Sequence, residues 1–421
     1  PGVLSAQLGG SPAEPGVADD TPYPETNPLG DILDHWNPDD VRGPADRAKF
    51  DTLRRLDYTS DADMREALEL RNAEHPFVVT NIPPLKAVGD KWTDDYLVER
   101  FGDVEYKVEV SADNHFMWYN TEYATRHEEY VPPVETRTMP YSKFLELARK
   151  PAETSDPHYY FKASAFNNRD QDAFIREDYT IFDAQLPESD FFLVDKSEQH
   201  GIHCRFGMPG VVAEAHYDSG RNFVSMVRGH KRYILAAPSE CEALQTLKFG
   251  PSIRHSPVDF SDPRHSTHGW GDKGVAGEAF FQVAAIDTII GPGEALYIPS
   301  FYFHYPISLD ESIQCNSRSG VPTAGGGAIE ECGFSLTYTE GPGAVAHAAY
   351  QDDGVVSRVS RWFTTGKDPR TKGQVVRGSL FSDPVWLMVA GLGGSVFLVM
   401  AWKVGRMICQ ARARNKRHNG L

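Results

Sequence analysis

Ten short runs of β-branched and aromatic residues between about 158 and 340 constrain the fold of this 421-residue chain most strongly. Gly, Pro, Asp and Ser separate the runs, as turns separate strands. The runs are HYYFKAS, FFLVD, GIHCRFGM, FVSMV, KRYILAAP, FFQVAAI, DTIIGPG, EALYIPS, ESIQCN and FSLTYT. Many short strands at this spacing predict a β-sandwich or a barrel, so the chain is mainly β in this region.

The residues before these runs predict helices and strands that flank the β region. DRAKFDTLRRLDY and DADMREALELRNAEH have helical spacing of apolar residues, while PFVVTNIP and VEYKVEV predict strands. TDDYLVERFGD predicts a helix capped by Thr93 and ended by Gly102. We therefore assign 46–157 to the N-terminal portion of the same globular unit. Residues 1–45 are rich in Pro, Gly, Asp and Glu without hydrophobic periodicity, which predicts a flexible acidic segment.

The C-terminal residues predict a membrane anchor. The run PVWLMVAGLGGSVFLVMAW, at 384–402, has 19 residues and no charge, with a Trp near each end. As a helix at about 1.5 Å per residue it approaches the ~30 Å thickness of the hydrocarbon core of a bilayer. We predict a linker over 342–383, a transmembrane helix over 384–404 and a basic tail over 405–421. The alternative is a buried core helix.

Charge around this run predicts the topology. The positive-inside rule places the basic tail in the cytosol and the large acidic domain in the ER or Golgi lumen or outside the cell. The sequence begins with Pro1, so a cleaved signal peptide would not be visible. A tail-anchored protein with a cytosolic catalytic domain is the competing topology. Cys204, Cys241, Cys315 and Cys332 allow one or two disulfides in a lumen, but the sequence does not fix their pairing.

The overall charge argues against one class of partner. Acidic residues outnumber basic ones by 59 to 42, which gives a formal net charge of −17. Nucleic-acid binding needs clustered Lys and Arg to neutralise phosphates. We therefore predict no nucleic-acid partner.

One pair of residues predicts a metal site. His216 and Asp218 form the only His-x-Asp sequence among 15 histidines, and residues i and i+2 of a strand face the same side. A second histidine would complete the two-His, one-carboxylate set that binds Fe(II) and leaves coordination positions open. His304 is the best candidate, because a sandwich could bring its strand opposite His216 across the interior. A His-x-Asp pair alone is more often a surface pair.

Two further features surround this candidate site. Lys231 stands at the head of the predicted strand in RGHKRYIL, and a buried lysine there needs an anion. The alternative for Lys231 is a solvated charge on an edge strand. The segment RHSPVDFSDPRHSTHGW carries His255, His265 and His268, whose spacing fits no tetrahedral metal pattern, so we interpret it as a loop.

These residues resemble a known family. The runs HYDSGRNFVSMVRGHKRYIL and PGEALYIPSFYFHYPISL are similar to the JmjC/cupin-like Fe(II)- and 2-oxoglutarate-dependent oxygenases, nearest the asparaginyl-type protein hydroxylases. The resemblance extends over roughly 75–320. It implies a double-stranded β-helix, or jelly roll, with its core over 158–341. It also implies Fe(II), 2-oxoglutarate as cosubstrate, and O2.

The resemblance assigns roles to individual residues. It implies metal ligation by His216, Asp218 and His304. It implies 2-oxoglutarate binding by four others: Lys231, Asn222, Asn316 and Tyr160. From the residues alone, the alternatives are a turn residue for Asn222, a strand-end residue for Asn316 and a core aromatic for Tyr160.

The chain departs from the family pattern at the pocket wall. Ala213 stands where the closest branch has a threonine, so a hydrogen-bond donor is absent there. Ser317-Arg318-Ser319 replaces an aromatic residue after Asn316, and Phe-Tyr-Phe precedes His304 where Trp-Trp is common. These departures leave the three proposed ligands intact but change the residues that contact cosubstrate and substrate.

Together these features predict a membrane-anchored dioxygenase that hydroxylates a protein or peptide side chain and releases succinate and CO2. Lysine demethylation is a rival reaction of the same family. A catalytically inactive cupin-like binding module at a membrane is a rival of another class, which the intact triad disfavours.

Overall fold

The computed structural model describes seven stretches of the chain. They are 23–43, 48–127, 129–150, 157–165, 172–265, 275–320 and 325–334. All of them belong to one compact unit, Pro1–Ala349; a second unit, Tyr350–Leu421, lies outside the described residues, as does the whole of 342–383. None of the helices in these stretches is long and apolar enough to span a bilayer. The transmembrane helix at 384–404 therefore stays a prediction.

Strands make up about half of the regular structure in the described residues. In chain order they are β1 Asn27–Pro28, β2 Arg55–Asp57, β3 Phe77–Thr80, β4 Tyr106–Ser111, β5 His115–Phe116, β6 Glu135–Met139, β7 His158–Ala165, β8 Ile202–Gly207, β9 Val212–Ala213, β10 His216–Tyr217, β11 Arg221–Arg228, β12 Lys231–Ala236, β13 Ala284–Ile290, β14 Ala295–Ile298, β15 Phe303–Ser308 and β16 Ser312–Ser319.

Short helices flank the strands. They are α1 Leu29–His35, α2 Asp61–Asn72, α3 Pro83–Lys91, α4 Asp94–Phe101, α5 Thr121–Arg126, α6 Tyr141–Ala148, α7 Ala173–Asp178, α8 Glu278–Phe281 and α9 Gly326–Glu331, with 3-10 turns at Thr180–Phe182, Pro187–Ser189, Lys196–Glu198 and Pro238–Cys241. The prediction of a mainly β chain with flanking helices is confirmed.

The strands form two sheets that pack face to face. The seven-stranded sheet has the order β1-β13-β12-β15-β9-β5, with β10 also paired to β15; the nine-stranded sheet has the order β2-β3-β14-β11-β16-β8-β7-β4-β6. Val224 and Met226 of β11 pack against Tyr233 and Leu235 of β12 in a common buried cluster, so the inner faces of the two sheets meet there. The helices cover the outer faces, α3, α4, α6 and α7 on the larger sheet and α1, α8 and α9 on the smaller.

The prediction of a flexible segment over 1–45 is wrong for residues 23–43. β1 pairs with β13, and α1 buries Leu29, Ile32 and Leu33 in the core of the smaller sheet. The apolar positions follow helical spacing, but the helix has only seven residues and no side-chain cap. The surrounding Pro and Asp residues therefore made α1 hard to predict from the sequence. Burial against the rest of the fold stabilises this helix, which has no cap of its own. Residues 1–22 lie outside the described residues.

The sequence predicts helix ends correctly where capping residues are present. α4 begins after Thr93, whose side chain accepts a hydrogen bond from the Tyr96 N–H, and ends at Gly102, which has φ +60°. The helix predicted in DRAKFDTLRRLDY is wrong, because Arg55–Asp57 form β2, a strand parallel to β3. FFLVD forms no strand, and FFQVAAI divides between α8 and β13. FSLTYT lies outside the described residues apart from Phe334.

Two disulfides lie in the described part of the chain. Cys204 and Cys315 are register partners on β8 and β16, with Cα atoms 4.1 Å apart. Cys241 is bonded to Cys332, so the 3-10 turn Pro238–Cys241 is tied to the end of α9. The first bond joins two strands that line the site described below.

Candidate metal centre

The three predicted ligands converge at one end of the smaller sheet. His216 and His304 are cross-strand partners on β10 and β15, and Asp218 follows β10 directly. One ligand atom from each residue lies within 4.8 Å of the other two. The two histidines are neighbours in one sheet, so the expectation that their strands meet across the interior is wrong. Because directly opposed residues of an antiparallel pair face the same side, this register brings the imidazoles together.

Backbone hydrogen bonds orient both imidazoles. His216 Nδ1 lies 2.6 Å from the Glu214 carbonyl oxygen, and His304 Nδ1 lies 3.0 Å from the Tyr302 carbonyl oxygen. Each Nδ1 therefore carries the proton and donates it, which leaves Nε2 of each ring as the ligand atom. A metal-binding histidine almost always donates its other ring N–H in this way.

Electrostatics place the triad in the protonation state that a cation needs. Burial lowers the pKa of His304 to about 3 and also lowers the pKa of His216, so both rings are neutral at pH 7. Burial alone would raise the pKa of Asp218, but Arg318 and the two histidines hold it well below its usual range. Two neutral imidazoles and one carboxylate fit a ferrous ion.

Arg318 binds the oxygen of Asp218 that faces away from the histidines. Its Nη1 donates to Asp218 Oδ1 at 2.6 Å, while Asp218 Oδ2 lies 4.0 Å from His304 Nε2. Oδ2 is therefore directed toward the ligand atoms. Because Arg318 occupies Oδ1, Oδ2 is the oxygen that Asp218 would offer to a cation.

A buried cation lies directly behind Tyr160, which lines the same pocket. Lys231 is 2% exposed and its Nζ donates to the Tyr160 hydroxyl at 3.1 Å. Burial, and then the nearby Arg205, lowers the pKa of Lys231 to about 7. No carboxylate pairs with Lys231 among the described residues. The structure brings Tyr160 and Lys231 together as the resemblance implies, and Lys231 is not a solvated edge charge.

The two predicted asparagines lie between these ends. Asn316 Nδ2 donates to Asn222 Oδ1 at 3.0 Å, from β16 to the neighbouring β11. Tyr160, Asn222, Asn316 and the metal triad all line one cavity of about 420 Å³. All seven predicted site residues therefore lie in or directly behind a single pocket.

The sequence did not identify several residues that line this pocket. Alternation along β7, β8 and β16 directs Lys162, Arg205 and Arg318 into it. On β7 and β8, apolar residues alternate with these charged residues and face away from the pocket. The period-two pattern of the strands therefore indicated that the charged residues face the other side. Lys162 forms an ion pair with Glu109, and Arg205 makes no ion pair with a described residue.

His255 also belongs to the pocket, although its segment is a loop as interpreted. Its ring stacks on His216, with centroids 4.9 Å apart, and on Trp118, with centroids 6.3 Å apart. His265 is exposed, and His268 lies outside the described residues. In the described stretches, the triad is the only group of three His, Cys, Asp or Glu residues placed to hold a metal.

A larger cleft of about 810 Å³ lies elsewhere in the molecule. It is lined by residues that include Arg55, Lys86, His230 and Glu294. Arg55 is already paired with Glu294 and Asp51, and His230 with Asp310. Size alone would favour this cleft, but the convergent ligands are in the smaller pocket.

Comparison with known proteins gives the family. The model of the cupin-like domain matches residues 64–317, more than half of the chain, and it includes the triad. The chain belongs to the cupin-like domain family. Its curated relatives include the tRNA wybutosine-synthesizing protein 5 of Danio rerio, which is 24% identical over 63% of this chain and 76% of the relative.

JmjC proteins are also among the relatives of this cupin-like chain. JmjC domain-containing protein D of Dictyostelium discoideum is 31% identical over 28% of this chain and 25% of its own length. Lysine-specific demethylase JMJ30 of Arabidopsis thaliana is 26% identical over 56% of this chain and 48% of its own length. The resemblance to the JmjC/cupin family is confirmed, and a special likeness to its asparaginyl hydroxylases stays a prediction.

Proposed function

We propose that this cupin-like protein is an Fe(II)- and 2-oxoglutarate-dependent oxygenase that hydroxylates a protein side chain. The observation that carries the proposal is the triad of His216, Asp218 and His304, with ligand atoms within 4.8 Å of one another and both Nδ1 atoms engaged. An inactive binding module has no need of three oriented ligands, and loss of any one would abolish the set.

The other pocket residues suit a dicarboxylate. A bound ferrous ion would supply the oxygen-activating chemistry, and the chain's residues would bind and orient the reactants. Lys231 and Tyr160 would hold the carboxylate of 2-oxoglutarate farther from the metal, and burial would exclude water around it. Asn222 and Asn316 offer amide groups between the two ends.

The proposed substrate class is supported by the names of relatives and by the net charge of the chain. Relatives carry the names of a tRNA wybutosine-synthesizing protein and of lysine-specific demethylases, so RNA and methylated lysine are the competing substrates. A net charge of −17 disfavours a polyanion such as RNA. A protein side chain is therefore the substrate that we propose, with hydroxylation as the reaction.

Succinate release tests the activity. The purified protein with Fe(II), ascorbate and 2-oxoglutarate should release succinate, and His216→Ala or Asp218→Ala should abolish it. The control is His265→Ala, an exposed histidine that the triad does not contact. Iron content is measured in parallel. Full turnover by either triad variant with iron still bound would refute the ligand assignment.

We also propose that the catalytic unit lies in an oxidising compartment and is held at a membrane by 384–404. The two disulfides support this, because such bonds form and persist in lumenal and extracellular proteins. The uncharged run followed by a basic tail supports the anchor. Protease protection of the catalytic unit in sealed vesicles tests the topology. Digestion without detergent would support the cytosolic alternative.

A further inference from the structure

The pocket has a buried end and an open end. Tyr160 lines the buried end and Lys231 lies directly behind it, and both residues are under 10% exposed. Trp118 marks the open end with 48% of its surface exposed, and the stack of Trp118, His255 and His216 leads from solvent to a metal ligand. A substrate that enters from this end would contact Trp118.

Two guanidinium groups line the pocket, those of Arg254 and Arg318. Arg318 uses Nη1 to bind Asp218, and its Nε is buried with no hydrogen-bond partner among the described residues. The Arg318 side chain is 31% exposed, so its remaining amino group, Nη2, is the donor that an acceptor in the pocket would reach.

The backbone at Arg254 is strained. Its φ of +73° lies in the left-handed region, which a non-glycine residue seldom adopts. The Arg254 N–H donates to the Leu247 carbonyl, and the Arg254 carbonyl accepts from the Tyr217 N–H one residue after His216. Backbone strain of this kind is concentrated at functional sites. This strained backbone conformation keeps the Arg254 cation beside the proposed metal ligands.

The charge of the pocket is opposite to that of the chain. Lys162, Arg205, Arg254 and Arg318 line it against two carboxylates, those of Glu109 and Asp218, whereas the whole chain carries −17. Glu109 is paired with Lys162, and Asp218 would be shared with the metal. The lining therefore has more cations than carboxylates in a chain that is acidic as a whole, a pattern that favours one anionic group over a polyanion.

Exposed aromatic side chains lie in the pocket wall and on the loop that carries Arg254. Phe249 is 74% exposed in the loop that carries Arg254, and the Asn120 N–H donates to the Pro251 carbonyl, which ties that loop to the segment of Trp118. Exposed aromatic residues beside a pocket provide contact area for a polypeptide.

From these observations we propose that the substrate is a peptide segment with an aspartate or glutamate at, or next to, the hydroxylated position, and that Arg254 and Arg318 receive its carboxylate. The inference rests on the proposed oxygenase function and names the substrate class of that site. Trp118 and Phe249 would contact the apolar flanks of the same segment.

Selection from peptide pools tests the inference. Three pools share randomised uncharged flanks and differ only in a fixed central Asp, Asn or Lys. They are presented to the full protein loaded with Mn(II) and 2-oxoglutarate without oxygen, and retained peptides are quantified by mass spectrometry. We expect the Asp pool to be enriched about tenfold over the Asn pool, as a charge-assisted hydrogen bond would give. Equal retention of the pools, or no retention, would overturn the proposal.

Two substitutions at one position sharpen the test. Arg254→Asn removes the charge with a residue that tolerates positive φ, and should abolish the preference for Asp. Arg254→Glu should reverse it toward the Lys pool. Arg65→Glu makes the same charge change on the exposed face of α2 and should leave the preference intact. An equal loss in Arg65→Glu and Arg254→Glu would show a general field effect and overturn the role of Arg254.

Further measurements separate this inference from the proposed function. Mn(II) binding by electron paramagnetic resonance and 2-oxoglutarate binding by calorimetry are recorded on the same samples. Asp enrichment without 2-oxoglutarate binding would overturn the oxygenase function and leave the anion preference. Binding of 2-oxoglutarate with stronger retention of a single-stranded oligoribonucleotide than of any peptide pool would overturn the peptide substrate.

Discussion

Lys231 and Arg232 are consecutive buried cations on β12 with opposite surroundings. Arg232 is fully buried on one face of the strand, where its Nε and Nη2 bind both oxygens of Asp287 at 2.8 and 2.9 Å. Its Nη1 donates to the Trp36 carbonyl, and the guanidinium lies over the Trp36 ring. Lys231, on the other face, has the Tyr160 hydroxyl as its only hydrogen-bond partner among the described residues.

The difference distinguishes a structural cation from a binding cation. A buried charge is costly unless it is paired, and the fold supplies the pair for Arg232. For Lys231 the fold supplies a phenol and a second cation, Arg205, which makes the charged form still less favourable. A buried cation that the fold leaves without a carboxylate is suited to an anion from outside.

The largest expected effect is on the paired side. Asp287→Ala would leave the Arg232 guanidinium buried without its partner, which destabilises a fold by about 3–5 kcal/mol. The free energy of unfolding from urea denaturation, with disulfides intact, measures this loss. Arg232→Met in the Asp287→Ala background should recover part of the stability, because it removes the uncompensated charge. A loss below about 1 kcal/mol would show that Arg232 does not need the pair.

Lys231→Met should weaken cosubstrate binding without destabilising the fold, the opposite of Asp287→Ala. It removes a buried charge that no carboxylate offsets, so the free energy of unfolding should stay the same or rise. The affinity for 2-oxoglutarate should fall at least about thirtyfold, because the cosubstrate carboxylate loses a buried charged partner. Calorimetry with Mn(II)-loaded protein measures the affinity. If the variant is destabilised while binding is unchanged, Lys231 is a structural cation like Arg232.

The sequence could predict these two cations only in part. RGHKRYIL predicts a strand, and alternation on a strand puts Lys231 and Arg232 on opposite faces. Asp287 stands 55 residues from Arg232, and Trp36 lies in a segment that predicts flexibility, so the pairing had no local signal. The triad is different, because the spacing of His216 and Asp218 is itself local, and His304 was the best candidate from its predicted strand before the resemblance assigned it the same role.

The pocket wall shows the same limit. Arg254 and His255 reach the metal centre from a loop whose shape depends on contacts with Leu247, Tyr217 and Trp118. No periodic pattern marks such a loop, and irregular segments are fixed mainly by tertiary contacts. Arg205 and Arg318, in contrast, follow from strand alternation once the neighbours are known. Regular elements and capped helices were predictable, whereas loop residues around the site were not.

The pKa of Lys231 gives the comparison a pH dependence. Its value of about 7 in the folded state is below the usual 10.5. The folded state therefore binds fewer protons than the unfolded state between these values, and Lys231 makes the free energy of unfolding rise with pH there. Binding of 2-oxoglutarate favours the charged form, so at pH 8 it should take up close to one proton. Calorimetry in two buffers of different ionisation enthalpy measures this uptake, and Lys231→Met should lose it.

Affinity should follow the same linkage. Below pH 7 Lys231 is already charged, so the affinity for 2-oxoglutarate should be nearly constant on its account. Above pH 7 the affinity should fall by up to about tenfold per pH unit, because each binding event must also charge the amine. Constant affinity from pH 6.5 to 8.5, with no proton uptake, would show that Lys231 keeps its charge without an anion.

The smallest expected effect is that of Arg205 on the pKa of Lys231, an influence for which Arg232 has no counterpart in this comparison. Arg205 lowers the pKa of Lys231 through charge repulsion and forms no ion pair with a described residue. Arg205→Met should therefore raise the pKa of Lys231 and reduce proton uptake at pH 8, while the affinity for 2-oxoglutarate changes by less than about tenfold. The same two-buffer titration measures both quantities. Arg228→Met, a cation bound to Asp94 and Glu311, is the matched control and should leave the uptake unchanged. Unchanged proton uptake in Arg205→Met would mean that burial alone lowers the pKa of Lys231. Repulsion by Arg205 would then be no part of the difference between Lys231 and Arg232.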